Sequence, residues 1–391
     1  MSDRRARRKS AIANDERILD AAVVVANEVG LDRLTVSAVA KAAGFTSGAV
    51  YARYGDREEL LVALWEQRAA ASLELLIRQV GSLRRRGASP GYRAAIIEWI
   101  AAPPPELRLA IETCLIAHRV DELYDIVPRA VSEWLSDLGL HHSNLSPDES
   151  VDLALVACII GYVMLHHFTE PLAIDLDAAM RWTSLPAQAP IGDPLPPAPT
   201  AQELVMEPDD PVHNDLLLAA QAVIARSGVH RTTLARIGRL ARLAPATVYG
   251  RYKSRDELIA DILRRAQKSN SQVGHRLDYM LGDAAMAAAL HAFLQPEALV
   301  RRRLHNETAV AAWHQPAIAE VYSAAEWKAM QDVADAFPAG LLSREHLIAL
   351  QQMSLMAIHG SSVLSEVLPS VADLDWRSSA ALLLNAVLTD S

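Results

Sequence analysis

The chain has 391 residues, 51% of them hydrophobic but only 5% aromatic, with a formal net charge of −9. Such a length holds roughly two to four domains, and an apolar filling of Ala, Leu and Val favours helix over sheet. Two cysteines, Cys114 and Cys158, exclude a disulfide framework and fit a reducing cytosol, while the net charge, taken as one number, argues against nucleic acid as a partner.

The N-terminal segment carries Arg4, Arg5, Arg7, Arg8 and Lys9, with no uninterrupted apolar signal region behind it. It reads as a basic arm over residues 1–10, able to reach a neighbouring minor groove. Asn14 or Asp15 then caps a helix with Ile18, Ala21, Ala22, Val25 and Val29 at three-to-four spacing, and Gly30 ends it. Thr35 caps a short helix carrying Val36, Val39, Ala40 and Ala43, and Gly44 closes it. After a turn at Phe45-Thr46 comes a third short helix, Ser47 to Tyr54, and Asp56 caps a long amphipathic helix through Leu60, Leu61, Leu64 and Trp65. Two short helices joined by a glycine-containing turn form a helix-turn-helix pattern, in which the second helix enters the major groove.

The stretch LTVSAVAKAAGFTSGAVYARYGDREELL resembles the DNA-binding segment of the tetracycline-repressor (TetR) family of bacterial transcriptional regulators. The likeness rests on Thr35, Ala43-Gly44, Tyr51, Tyr54 and Arg57-Glu58-Glu59-Leu60, and spans about 45 residues. It implies an all-α chain in which a three-helix head, residues 11–57, precedes a helical regulatory and dimerisation body, residues 58–185. Within that body Leu153–Leu165 is the most apolar run, 13 residues long. A bilayer span needs about 20, so a buried helix is expected and no membrane partner.

Residues 186–211 hold 8 of the 20 prolines and read as a semi-rigid linker. Beyond it the chain repeats itself at an offset of 198: Tyr51-Ala-Arg-Tyr54 aligns with Tyr249-Gly-Arg-Tyr252, and Leu19–Leu60 matches Leu217–Leu258 at 15 of 42 positions. The offset returns where Pro171 meets Pro369 and Asp175-Leu176-Asp177 meets Asp373-Leu374-Asp375, whereas the middle of each half matches poorly. A second head over 212–255 and a second body over 256–391 follow. In the second head Arg242 stands where the first has the turn glycine, so that position either adopts a positive φ or turns differently. Ala244-Pro245 likewise replaces Thr46-Ser47.

Divided by segment, the charge reverses its meaning: residues 1–69 carry +1, residues 214–268 carry +7, and the remainder −17. The basic heads are therefore expected to dock on DNA. Thr46, Ser47, Tyr51, Tyr54, Thr247, Tyr249 and Tyr252 offer hydroxyls, and Lys41, Arg251 and Lys253 offer charge, mainly for phosphates. Thr35 and Thr233, opening the second helices, join them. Base contacts fall to the small residues Thr46, Ser47, Gly48, Ala246 and Thr247, suited to thymine methyl groups.

The resemblance further implies a small effector and a dimer interface from the last helices of each body. Interface candidates are 147–168, 175–184, 343–367 and 373–389, with small residues at Ala154, Ala157, Gly161, Ser354, Gly360 and Ser361. Pocket candidates are Trp99, His118, Trp134, Tyr162 and His166 in the first body. In the second they are Trp313, Tyr322, Trp327, Met353, Met356 and His359, and such linings suit a hydrophobic effector. The pairs His141-His142 and His166-His167 lack a cysteine or carboxylate at ligand spacing, so no metal and no cofactor is expected. Nor is an enzyme, in the absence of a phosphate loop or nucleophile elbow. The expectation is a cytoplasmic, ligand-responsive regulator, most simply a repressor. It acts as a single-chain pseudo-dimer on a double-stranded operator with unlike half-sites. The alternatives are a homodimer of chains with four heads, or a sensing module whose second head has left DNA.

Overall fold

The computed structural model describes residues 2–84, 89–141, 145–166, 168, 210–266, 285–336 and 343–381. The proline-rich stretch 186–209, the interface candidate 175–184, residues 382–389, His142 and His167 lie outside them. Among the described residues the secondary structure is helical, with no strand.

The first half opens with α1 (Ser2–Val29), α2 (Val36–Ala43), α3 (Ser47–Tyr54) and α4 (Arg57–Leu64). The arm expected over residues 1–10 is instead the start of α1, which passes Asn14 and Asp15 unbroken. Arg, Ala and Lys are strong helix formers, and no Gly or Pro interrupts them there. One π-helical turn, Trp65–Ala69, joins α4 to α5 (Ala70–Gly81). The body continues with α6 (Pro90–Ala101), α7 (Pro105–Ile116), α8 (Asp121–Tyr124), α9 (Ile126–Asp137) and α10 (Pro147–Leu165). A capping box at Ser146 and Glu149 starts α10, and every residue from Ser150 to Leu165 is buried. Each fully buried Leu or Ile side chain on such a helix stabilises by roughly 1.5–3 kcal/mol.

The second half repeats the plan with α11 (Pro211–Ser227), α12 (Leu234–Leu240), α13 (Pro245–Arg251) and α14, residues 255–266. Its body holds α15 (Ala285–Leu294), α16 (Leu299–His314), α17 (Pro316–Ala336) and α18 (Arg344–Val367). By length and composition α18 could cross a membrane, but 61% of its most apolar stretch is buried within the protein, as in a core helix. The first helix of each head packs on the matching body helix, α1 on α7 and α11 on α16.

The most extensive helix pair joins the halves, α10 against α18. Their backbones touch at two glycines. A Cβ on Gly161 would lie 1.9 Å from the Met356 carbonyl oxygen, and one on Gly360 would lie 1.5 Å from that of Ala157. The contact is reciprocal, because Gly161 stands to Ala157 as Gly360 stands to Met356. Glycine is required at both positions because any side chain would force the backbones apart.

A third part of the duplication emerges here. Glu112-Thr113 of α7 and Glu307-Thr308 of α16 are equivalent at an offset of 195. Each threonine hydroxyl donates to the carbonyl four residues back, Leu109 and Leu304, at 2.8 Å. Across the halves Glu112 Oε2 lies 3.4 Å from His314 Nε2, and Glu307 pairs with Arg119. Arg119 also reaches Asp32 at 2.9 Å, and Leu31 N–H donates to Glu112 Oε1 at 2.6 Å. Asp32, Glu112, Arg119, Glu307 and His314 line a small, partly open cavity of about 30 Å³, together with Gly30 of the first head and His230 of the second. Burial raises the Glu307 carboxyl above the usual carboxylate range against the pull of Arg119.

Candidate nucleic-acid interface

In the first head the Thr35 hydroxyl oxygen accepts the Ala38 N–H at 3.2 Å and starts α2. Gly44 closes that helix in the left-handed region at φ 72, and Phe45 N–H returns to Ala40 O at 2.8 Å. The Thr46 hydroxyl oxygen then caps α3 by accepting the Ala49 N–H at 3.2 Å. Val39, Ala40 and Val50 are buried between the helices, which turns the other side of α3 outward. Thr46, Gly48 and Tyr51 are exposed there with Lys41 of α2, and Ser47 is half-buried beside Ser37.

The second head builds the same surface by other means. Thr233 caps α12 by accepting the Arg236 N–H at 3.2 Å. Arg242 takes the position of Gly44 with φ 56, a non-glycine residue in the left-handed region. Leu243 N–H still returns to Gly238 O at 2.9 Å, so the turn is kept and Arg242 carries its strain. Ala244 gives α13 no side-chain cap, and Pro245, with no N–H to satisfy, begins it instead. Ala246, Tyr249 and Lys253 are exposed, and Thr247 is half-buried.

Tyr51 at 48% and Tyr249 at 56% exposure are large rings held in solvent at matching positions of two recognition helices. Tyr54 and Tyr252 are not. Both are buried in the head cores, which corrects their expected place among the DNA contacts. Three residues on from an exposed ring, the helix has turned each of them back under α3 or α13. The Tyr252 hydroxyl is also engaged, donating to Asp261 Oδ2 at 2.6 Å with His213 Nε2 at 2.6 Å on its other side. Burial and the Asp261 carboxylate hold this phenol far above its ordinary range. Arg251 is bound by Asp210 at 2.6 Å, as Arg53 is by Asp15, so each head ties the end of its recognition helix to its first helix. The side chains of Arg4, Arg5, Arg7 and Arg8 lie outside the described residues.

Two arginines not placed at the interface by sequence reading have a clear structural part. Arg57 donates to Leu34 O at 3.0 Å and Leu31 O at 2.8 Å, and Arg255 donates to Val229 O at 3.3 Å. They brace the loop behind each first helix, and their identity at the 198 offset was the available signal.

Among the pocket candidates, Tyr322 and His359 come together, hydroxyl to Nε2 at 2.7 Å. His118 and Trp313 face the opposite half: His118 Nδ1 is 3.7 Å from Glu366, and Trp313 donates to Met164 O at 2.7 Å. Burial, with Arg303 and Arg119 nearby, pushes His118 down to about 3. Trp134 leans on Trp65 at 6.1 Å between ring centroids, and Tyr162 lies 6.2 Å from His166. Trp99 and Trp327 are half-buried against the core, and Met353 and Met356 are buried.

The family model of bacterial regulatory proteins of the tetR family matches residues 18–64 and again residues 216–262. No curated protein matches the chain. The two matched stretches enclose the two helix-turn-helix surfaces just described, in a family of DNA-binding transcriptional regulators. The chain is a tetR-family regulator with two tandem units, one at the head of each half.

Proposed function

We propose that this chain is a ligand-responsive repressor that acts as a single-chain pseudo-dimer in the bacterial cytoplasm, placing two unlike heads on an operator whose half-sites differ. The carrying observation is the reciprocal crossing of α10 and α18, where Gly161 meets Met356 and Gly360 meets Ala157. Equivalent surfaces meeting this way characterise a two-fold dimer contact, and here both belong to one chain. Exposed Tyr51 and Tyr249 support two working heads, while Thr46-Ser47 against Ala244-Pro245 supports unlike half-sites. The mostly apolar bodies suit a hydrophobic effector.

Light scattering of the protein alone and on DNA, combined with footprinting, tests the reading. One chain should protect two half-sites about 34–36 Å apart, with affinity falling steeply as salt rises. Tyr51→Ala and Tyr249→Ala should each weaken binding. A pair of chains carrying four engaged heads would overturn the pseudo-dimer. Unchanged affinity in Tyr249→Ala would show that the second head does not touch DNA.

A further inference from the structure

One cluster of ligating side chains lies outside both heads. His305 of α16, Glu326 of α17 and His359 of α18 are buried together, with one potential ligand atom from each within 4.8 Å of the others. The two imidazoles stack at 4.1 Å between centroids, and His305 Nδ1 is 4.0 Å from Glu326 Oε1. Each ring keeps one buried nitrogen with no hydrogen-bond partner among the described residues, Nε2 of His305 and Nδ1 of His359. Buried nitrogens of this kind are rare in a folded protein and ask for a partner. Tyr322 meanwhile engages the other nitrogen of His359 at 2.7 Å, the arrangement by which an outer hydrogen bond orients a ligating ring.

The duplication supplies an internal comparison. At the 195 offset His305 corresponds to Ala110, and at the 199 offset of the glycine crossing His359 corresponds to Ile160. Both first-half residues are buried. The fold thus accepts alkyl side chains at these two places, and burying imidazoles there without a partner is unfavourable. Packing alone does not call for two histidines and a carboxylate from three different helices.

We propose that the second body binds one divalent transition-metal ion, Zn²⁺ by its ligand chemistry, through His305, Glu326 and His359, with Tyr322 positioning the His359 ring. Two imidazoles and one carboxylate are a set that zinc accepts, leaving a fourth place for water or an anionic group. Tetrahedral bonds of about 2.0–2.1 Å need ligand atoms about 3.3 Å apart, so the side chains must draw in by about an ångström. The site stands independently of whether either head binds DNA. Its ion would tie α16, which packs on α11 of the second head, to α18, which crosses α10.

The test is titration of the chelator-stripped full chain with Zn²⁺ alone, by calorimetry and against a chromophoric chelator. One ion per chain is expected. His305→Ala and His359→Ile copy the first half and should fold; each should weaken binding by at least about 100-fold, and Tyr322→Phe by about 10-fold. The unsubstituted protein loaded with Co²⁺ should show the intense visible absorption of a tetrahedral site, a reading that needs no variant. Absence of stoichiometric Zn²⁺ binding, a Co²⁺ spectrum like that of the aqueous ion, or binding that survives in the doubly substituted protein would overturn the site.

Discussion

Substitution of Gly360 by alanine adds one methyl group at the tightest backbone approach described. The new carbon would lie 1.5 Å from Ala157 O, 2.4 Å from its carbonyl carbon and 2.9 Å from Gly161 N. A carbon needs about 3.3 Å from a carbonyl oxygen, so α10 and α18 must part by about 1.8 Å. A radial gap of 0.5–1 Å already forfeits a quarter to a half of the dispersion attraction between facing atoms. The expected loss is therefore about 3–5 kcal/mol, beyond the usual range for overpacking. Gly250 of α13 is the control, because a Cβ there meets nothing within 4 Å. Gly250→Ala should stabilise by about 0.5–1 kcal/mol through helix propensity. Urea unfolding followed by circular dichroism measures both. Were Gly360→Ala to unfold within about 0.5 kcal/mol of the unsubstituted chain, the close crossing would be refuted.

Three further outcomes follow from single residues. Arg242→Gly should raise stability by about 1 kcal/mol, since a left-handed residue costs about 1–2 kcal/mol without glycine, and an unchanged urea midpoint would mean that the turn holds no strain. Tyr252→Phe should cost about 1 kcal/mol, because the hydroxyl bonds are lost while His213 and Asp261 keep each other at 3.2 Å; thermal unfolding at two pH values, showing no loss at either, would contradict the network. His118 is held at about 3, below its ordinary 6.5, so its contribution is complete above pH 6.5 and is lost as pH falls towards 3. Between pH 7 and 5 that is about 2 kcal/mol, and His118→Leu should flatten the stability profile by that amount, whereas parallel profiles would rule it out.

The heads were legible because their signals are local. Thr35, Gly44, Thr46 and Asp56 act within one turn of themselves, and their structural roles match the residue types read from the chain. Tyr54 and Tyr252 were misplaced because a motif marks that an aromatic belongs there without saying which side of the helix faces the core. The bodies were less legible for a register reason. Small insertions shift the duplication from 198 in the heads to 195 at Glu112-Thr113 and 199 at Gly161, so a fixed offset loses it. The buried set His305, Glu326 and His359 escaped notice because its members come from three helices and only the packing brings them within reach.

The crossing of α10 and α18 also changes what a substitution can mean. In an assembly of identical subunits every replacement is made twice, so a contact on the symmetry axis is altered on both sides or not at all. Here Gly161 and Gly360 carry separate codons, as do Arg119 and His314, which occupy matching places opposite Glu307 and Glu112. One side can be perturbed while its counterpart serves as reference in the same molecule. The chain has already used that freedom: one acidic residue faces a permanent cation and its counterpart faces an imidazole.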